Sequence, residues 1–506
     1  MTLSIYLFPF FSLLLLWVWY RRRNDSRHSP PGPPKDPLIG HLRHMPAAQA
    51  PFVFHDWAKI YGDVMQLKVL GKSIIVLDSL QAAVGLLDKR GAIYSDRPPL
   101  PLYELLGWNY MLSFMRYGET FTRHRQVYQA FFSRQQCAEF EPIQTEEAHR
   151  LVRNILSSET DDYGSVLSRY TTGILVQVVA GHKITSDDDH YLELSKMVYQ
   201  VFSVTGAPGG TPIDFIPALR HLPGWFPGAY YAGVARAWQP VVRQLYDYPY
   251  ESVQQEKEAG NASPSFLLSR LQEIENNTTQ LTPEEIKGAA ATLFGAELPT
   301  RSAIAVFLLA MVLYPECQII AHKEIDSVVG ASRLPTFSDR GDLPYIECIL
   351  QETLRWNPVA PLGVPHRSTQ DDVYRGMFIP KGSIIFANIR GMALDENTYK
   401  DPTKFIPERF IPSPAGPGEP EFGSLFGFGR RRCPALHFVE RNLWIAIVSI
   451  LATCTVSNAV DEKGNIIVPE ATMSDGVDSY PKDLRCLIKP RSRSAEGLIA
   501  ETALVD

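Results

Sequence analysis

Paired cysteines are what this 506-residue chain most plainly lacks: it has 6 cysteines, and no two stand as C-x-x-C. That excludes a disulfide scaffold, a zinc ribbon and a thioredoxin-like redox pair. It points to a reducing compartment, where a single special cysteine serves as a ligand or a nucleophile. A basic excess is missing too. Lys and Arg total 49 against 55 Asp and Glu, a net charge of -6, so bulk electrostatics gives no reason to expect a nucleic-acid partner. With 45% hydrophobic and 21% charged residues, the chain is neither disordered nor collagenous nor a coiled coil. No internal repeat is visible.

Long apolar runs are scarce, with one exception at the N-terminus. Residues 2–20 (TLSIYLFPFFSLLLLWVWY) are almost wholly apolar, and Arg21, Arg22 and Arg23 follow at once. About 17–25 such residues cross a bilayer as a helix. The pattern predicts a transmembrane anchor over 2–20, a basic and proline-rich linker over 21–35, and one soluble domain over 36–506. Trp17, Trp19 and Tyr20 suit the headgroup region, and the arginines belong on the cytoplasmic side. The N-terminus is then lumenal and the body cytosolic. A cleaved signal peptide fits less well, because no charged region precedes the apolar run and no small-residue cleavage site follows it. Pro30, Pro31, Pro33 and Pro34 exclude helix and read as a stiff spacer.

Val64–Leu77 reads as two strands about Gly71. From about Ser113 the pattern is mainly helical. Thr282-Pro283-Glu284-Glu285 supplies a capping box with a first-turn proline, and the sequence predicts one long, buried helix from Ile286 to Leu313. A second helix is expected over Tyr345–Trp356, strands over Asp372–Met377 and Ser383–Ile389, an irregular Pro/Gly-rich stretch over Pro407–Ser424, and a last helix from Ala435 to Thr453. No later apolar run reads as long enough to span a membrane. The fold class is mainly α, strictly α+β: one large helical domain with a small β-rich part.

The stretch Phe426-Gly427-Phe428-Gly429-Arg430-Arg431-Arg432-Cys433-Pro434-Ala435 carries the chemistry. Its glycines allow a sharp turn and a close approach to a flat ligand. Cys433 stands just before a helix N-terminus and after three arginines, which favour a thiolate. A thiolate is what a haem iron needs to drive O–O cleavage. Taken bare, the stretch also fits a small buried thiol beside a solvated basic turn.

The rest of the pattern resembles the cytochrome P450 superfamily, whose signature is F-x-x-G-x-R-x-C-x-G. Phe426, Gly429, Arg431 and Cys433 match it, with Ala435 in place of the last glycine; Glu352–Arg355 matches E-x-x-R, and Pro407–Phe410 matches P-x-R-F. The resemblance covers about residues 31–490. It implies the P450 fold, Cys433 as the axial ligand of a haem iron, and a buried network of Glu352, Arg355 and Arg409 bracing the haem loop. It further implies that Arg125, His366 and Arg431 bind the haem propionates, although Phe121 replaces the family's tryptophan beside Arg125. Electrons would come from an NADPH-dependent cytochrome reductase, with cytochrome b5 as a second donor, at the endoplasmic reticulum membrane. In wording, Pro344–Cys348 and Trp356–Pro358 look most like fungal members of specialised metabolism.

One departure stands out. Where the family writes A/G-G-x-D/E-T in its long helix, this chain has Gly295-Ala296-Glu297-Leu298-Pro299-Thr300. Leu298 and Pro299 fall where an acid and a threonine relay protons, and neither can do so. Glu297 and Thr300, three residues apart, are the expected catalytic substitutes. The segments 99–112, 191–215, 291–300, 359–364 and 473–480 should line a largely apolar distal pocket for a lipophilic substrate. The expected activity is that of a membrane-anchored monooxygenase that binds O2 opposite Cys433 and oxidises a lipophilic small molecule. Two rivals stay open: a haem-thiolate isomerase, lyase or dehydratase that bypasses O2, motivated by Leu298 and Pro299, and a haem-binding module without turnover.

Overall fold

The computed structural model describes residues 28–158, 163–206 and 208–503. The expected anchor over 2–20, and the linker as far as residue 27, lie outside the described residues. Ten longer helices are labelled here: α1 (Ala50–Tyr61), α2 (Glu119–Phe131), α3 (Glu141–Ser157), α4 (Gly164–Ala180), α5 (His190–Thr205), α6 (Tyr230–Glu258), α7 (Pro283–Gly295), α8 (Leu298–Leu313), α9 (Pro344–Trp356) and α10 (Leu436–Thr453). Strands β1 (Val64–Val69), β2 (Lys72–Leu77), β3 (His366–Arg367), β4 (Asp372–Tyr374), β5 (Met377–Ile379) and β6 (Ile384–Ala387) come from the small β-rich part, and β7 (Cys454–Val460), β8 (Ile466–Ile467) and β9 (Cys486–Pro490) follow α10, ahead of a last helix over Arg493–Thr502. The main sheet runs β1-β2-β6-β3. The mainly helical architecture with small sheets is consistent with the fold that the resemblance implies.

The β1–β2 hairpin forms as expected, with Val64 opposite Leu77. Asp372–Met377 is not one strand. Arg375 and Gly376 both take positive φ, 50° and 78°, and fold the segment into the β4–β5 hairpin. The end of the proline run is tied to the body. Gln66 N–H donates to the Pro31 carbonyl at 2.8 Å, and His41 to the Pro33 carbonyl at 2.8 Å, so residues 31–33 lie along β1.

The long helix is interrupted. Its start is as the residues dictate: Glu285 accepts from Thr282 N–H at 2.8 Å, while Thr282 Oγ1 accepts from Glu285 N–H at 3.2 Å. The first helix, α7, ends at Gly295; Ala296 and Glu297 turn, and α8 begins at Leu298. Pro299 has no N–H for the carbonyl of residue 295, so an unbroken ladder cannot pass. The residues from Pro283 to Leu313, and α10, are long and apolar enough to cross a membrane, contrary to expectation. In each, 72% of the apolar window is buried inside the fold, which makes them core helices. The second half, α8, packs on α4, α9 and α10, and carries the centre of the main apolar cluster.

Candidate functional site

Cys433 sits at the end of a tight loop ahead of α10. Its N–H donates to the Phe426 carbonyl at 2.7 Å and closes the loop. Gly427 and Gly429 take φ of 77° and 50°. At Gly429 a Cβ would lie 2.3 Å from the Leu87 carbonyl oxygen, so the glycine answers to a crossing of two backbones. The Ala435 N–H faces the Cys433 sulfur. Burial pushes the thiol up from its ordinary value, and Ala435, Arg125 and Arg432 oppose that rise. The expectation that three arginines hold a thiolate is therefore corrected. Arg430 engages the Tyr117 hydroxyl, and Arg431 turns to backbone carbonyls. Of the three arginines, Arg432 is the one whose charge favours the anion at the sulfur.

Four basic side chains gather near this loop. Arg431 donates to the carbonyls of Ser95, Leu112 and Met115 at 2.7, 3.2 and 2.8 Å, and its guanidinium stacks 3.7 Å from the Phe121 ring centroid. The phenylalanine that replaces the family's tryptophan thus keeps a face for the cation. Arg97, which the motifs did not flag, donates to Ser113 at 2.8 Å, Val364 at 2.6 Å and Pro365 at 3.0 Å. A lone arginine before two prolines carried no sequence signal. His366 donates from Nδ1 to the Tyr94 carbonyl at 2.8 Å. Arg125, half-buried, donates to the Arg432 carbonyl and acts on Cys433.

The guanidinium groups among them are short of counter-charge. Burial drops Arg431 to about 9, with Arg125 adding repulsion and Asp96 opposing. Burial, then Arg431, holds Arg97 well below its usual range. Burial, then Arg97, does the same for His366. Asp96 is the carboxylate among them, and Arg116 claims both its oxygens at 2.9 and 2.6 Å. Each guanidinium has five N–H donors, so Arg97 and Arg431 keep donors to spare. A buried anion with two carboxylates beside a metal suits this donor set, and haem with its propionates is such a group.

Behind the loop lies a fully buried ion network. Arg355 Nε and Nη2 donate to the two Glu352 oxygens at 2.7 and 2.8 Å, and Arg409 Nε to Oε1 at 3.1 Å. Arg355 also reaches the carbonyls of Ala393 and Pro402 at 2.8 and 2.9 Å. Arg409 Nη1 meets Glu419 at 2.5 Å, a partner outside the motif. The Ile406 N–H donates to Glu352 at 2.8 Å, so one carboxylate gathers α9 and the irregular stretch leading to the cysteine loop. Such completed bonding is what a buried ion pair requires.

On the helix interruption the picture differs from expectation. Glu297 and Thr300 are both buried, but Glu297 does not pair with the Thr300 side chain. Its carboxyl oxygens contact Thr172 Oγ1 of α4 at 2.9 Å and Ser195 Oγ of α5. Among the described residues the Thr300 hydroxyl has no hydrogen-bond partner. Nearby, Trp108 stacks on Phe202 of α5 at 5.5 Å, and Met111 packs on Gly295.

The chain belongs to the cytochrome P450 family: residues 30–474 match it. It is 39% identical over 497 residues to Cytochrome P450 monooxygenase claR of Ampulloclitocybe clavipes, covering 96% of this chain and 90% of that one. It is 37% identical to Cytochrome P450 monooxygenase 208 of Postia placenta (96% and 95% covered) and 36% identical to Cytochrome P450 monooxygenase COX2 of Coprinopsis cinerea (95% and 93%). The enzyme is a cytochrome P450 monooxygenase, and the family implies a thiolate-ligated haem.

Proposed function

We propose that Cys433 ligates the haem iron as a thiolate in a membrane-anchored monooxygenase of lipophilic small molecules. The observation that carries the ligand assignment is the Cys433 sulfur facing the Ala435 N–H, on a loop whose buried Arg431, with Arg97 beside it, lacks enough anionic partners. When bound, the thiolate-ligated haem supplies O2 activation, in which two electrons and two protons place one oxygen in the substrate and one in water. Arg97, Arg125, Arg431 and His366 would hold the propionates, whose charge would offset that of the three guanidinium groups. Glu352, Arg355, Arg409 and Glu419 keep the cysteine loop in place. Trp108, Phe202 and Met111 contribute an apolar, aromatic wall, the basis for a lipophilic substrate.

Electrons come from an NADPH-dependent reductase, with cytochrome b5 as an accessory donor. The apolar residues 2–20 and the arginines after them favour a single-pass anchor in the endoplasmic reticulum membrane, N-terminus lumenal. The fungal relatives favour a place in secondary metabolism. The test is spectroscopic. The reduced protein exposed to carbon monoxide gives the red-shifted absorption of thiolate coordination, and Cys433→Ser abolishes it together with turnover. A serine variant with the pigment and activity of the parent refutes the assignment. Product analysis with a reductase and a panel of lipophilic metabolites identifies the substrate.

A further inference from the structure

Glu297 is a buried carboxyl without a place in the haem site as built above. The hydroxyls of Thr172 and Ser195, besides contacting its two oxygens, contact each other at 3.0 Å, so the three side chains form a closed ring of three contacts. All three are buried. Each hydroxyl carries one hydrogen and an ionised carboxylate none. An ionised Glu297 therefore leaves one contact of the ring without a hydrogen, with lone pairs facing each other. One proton on the carboxyl completes it: Glu297 donates to Thr172, Thr172 to Ser195, and Ser195 to the other carboxyl oxygen.

We propose that Glu297 is a positioning residue whose protonated form locks α4 and α5 to the interruption between α7 and α8. The consequence is mechanical. The locked helix α5 carries Phe202, stacked on Trp108, and Tyr199, whose ring lies 4.3 Å from the Arg301 guanidinium. That these residues wall the substrate pocket rests on the function proposed above; the lock itself does not. Glu297, expected from its place beside the relay positions as a catalytic substitute, is in this reading a structural joint of α4 and α5 with the turn between α7 and α8.

The surroundings agree with a neutral carboxyl. Burial raises Glu297 from 4.5 to about 7; the hydroxyls of Ser195 and Thr172, then Arg301, oppose the rise. Arg301, on α8, is the charge that acts on it, without forming an ion pair. Among the described residues, α4 contributes Thr172 and α5 contributes Ser195 and Tyr199, while the 473–480 segment brings Asp478 and Tyr480, which also sense Arg301. The stabilisation is complete below the unfolded carboxyl value and is lost as pH rises through the folded one.

Hydrogen exchange read by mass spectrometry on the purified holoenzyme tests the lock, with rates normalised to intrinsic exchange. In the wild type, opening of the segment 190–205 increases up to about tenfold between about pH 6 and about pH 8. Glu297→Gln offers an N–H and a carbonyl in the same order, so its protection stays high and flat with pH. Glu297→Ala opens the segment at both pH values, and Thr172→Val, which keeps the side-chain shape, does the same if the alanine variant fails to fold. Infrared spectra show a protonated carboxyl band in the wild type at about pH 6 that is missing in Glu297→Gln. A glutamine variant that keeps the wild-type pH dependence, or a Thr172→Val variant that exchanges like the wild type at the lower pH, overturns the proposal.

Discussion

The cysteine side and the helix interruption are both buried and polar, yet they are held by opposite means. Behind Cys433, one carboxylate binds two guanidinium groups, and the donors left over go to backbone carbonyls. At residues 296–297, two hydroxyls and one carboxyl close a small ring with no partner of opposite charge in contact. A charged network with every group bonded is rigid, whereas a ring that needs one proton depends on pH. The difference suits the proposed roles, a fixed metal ligand on one side and an adjustable pocket wall on the other.

The sharpest way to break this contrast is at the charged network. Glu352→Ala strands Arg355 and Arg409 without their shared carboxylate, and loss of one partner of a buried pair costs roughly 3–5 kcal/mol. The expected outcome is little folded, haem-loaded protein, measured by denaturant melts and haem content. At the ring, the pH-dependent part is at most about 3 kcal/mol for a shift of this size. Relative to Glu297→Gln, the wild-type melting temperature falls as pH rises from about 4.5 through about 7, the two values that bound the shift. An unchanged difference across that window separates Glu297 from the effect.

Gly429→Ala tests the loop rather than the network. It forces a Cβ against the Leu87 carbonyl at a φ of 50°, and a cost of roughly 2 kcal/mol is expected in a denaturant melt. Smallest is the helix start: Thr282→Ala removes the cap of α7 and lowers stability by about 1 kcal/mol, without moving the carbon monoxide spectrum. A spectral change there would tie the cap to the haem site and blur the contrast between the two regions.

Much of this was legible beforehand. The β1–β2 hairpin, α9, α10 and the capping box at Thr282 are local patterns, set by neighbours a few residues apart. Glu352 and Arg355 share a helix face because they are three residues apart. Glu419 and Arg97 were invisible, since their partners lie elsewhere in the chain: Arg409 receives the first, and carbonyls of 113, 364 and 365 receive the second. Asp372–Met377 failed as one strand because Arg375 and Gly376 both turn left-handed.

Sequence alone determined the family and the cysteine before α10; the missing N–H of Pro299 is also a covalent fact that holds in any fold, but the reading of one unbroken helix passed over it. Tertiary structure decided what Glu297 touches. Its contacts come from residues 125 and 102 positions away in the chain, and only packing of α4 and α5 against the interruption brings those hydroxyls within reach and removes the water that would keep the carboxyl ionised.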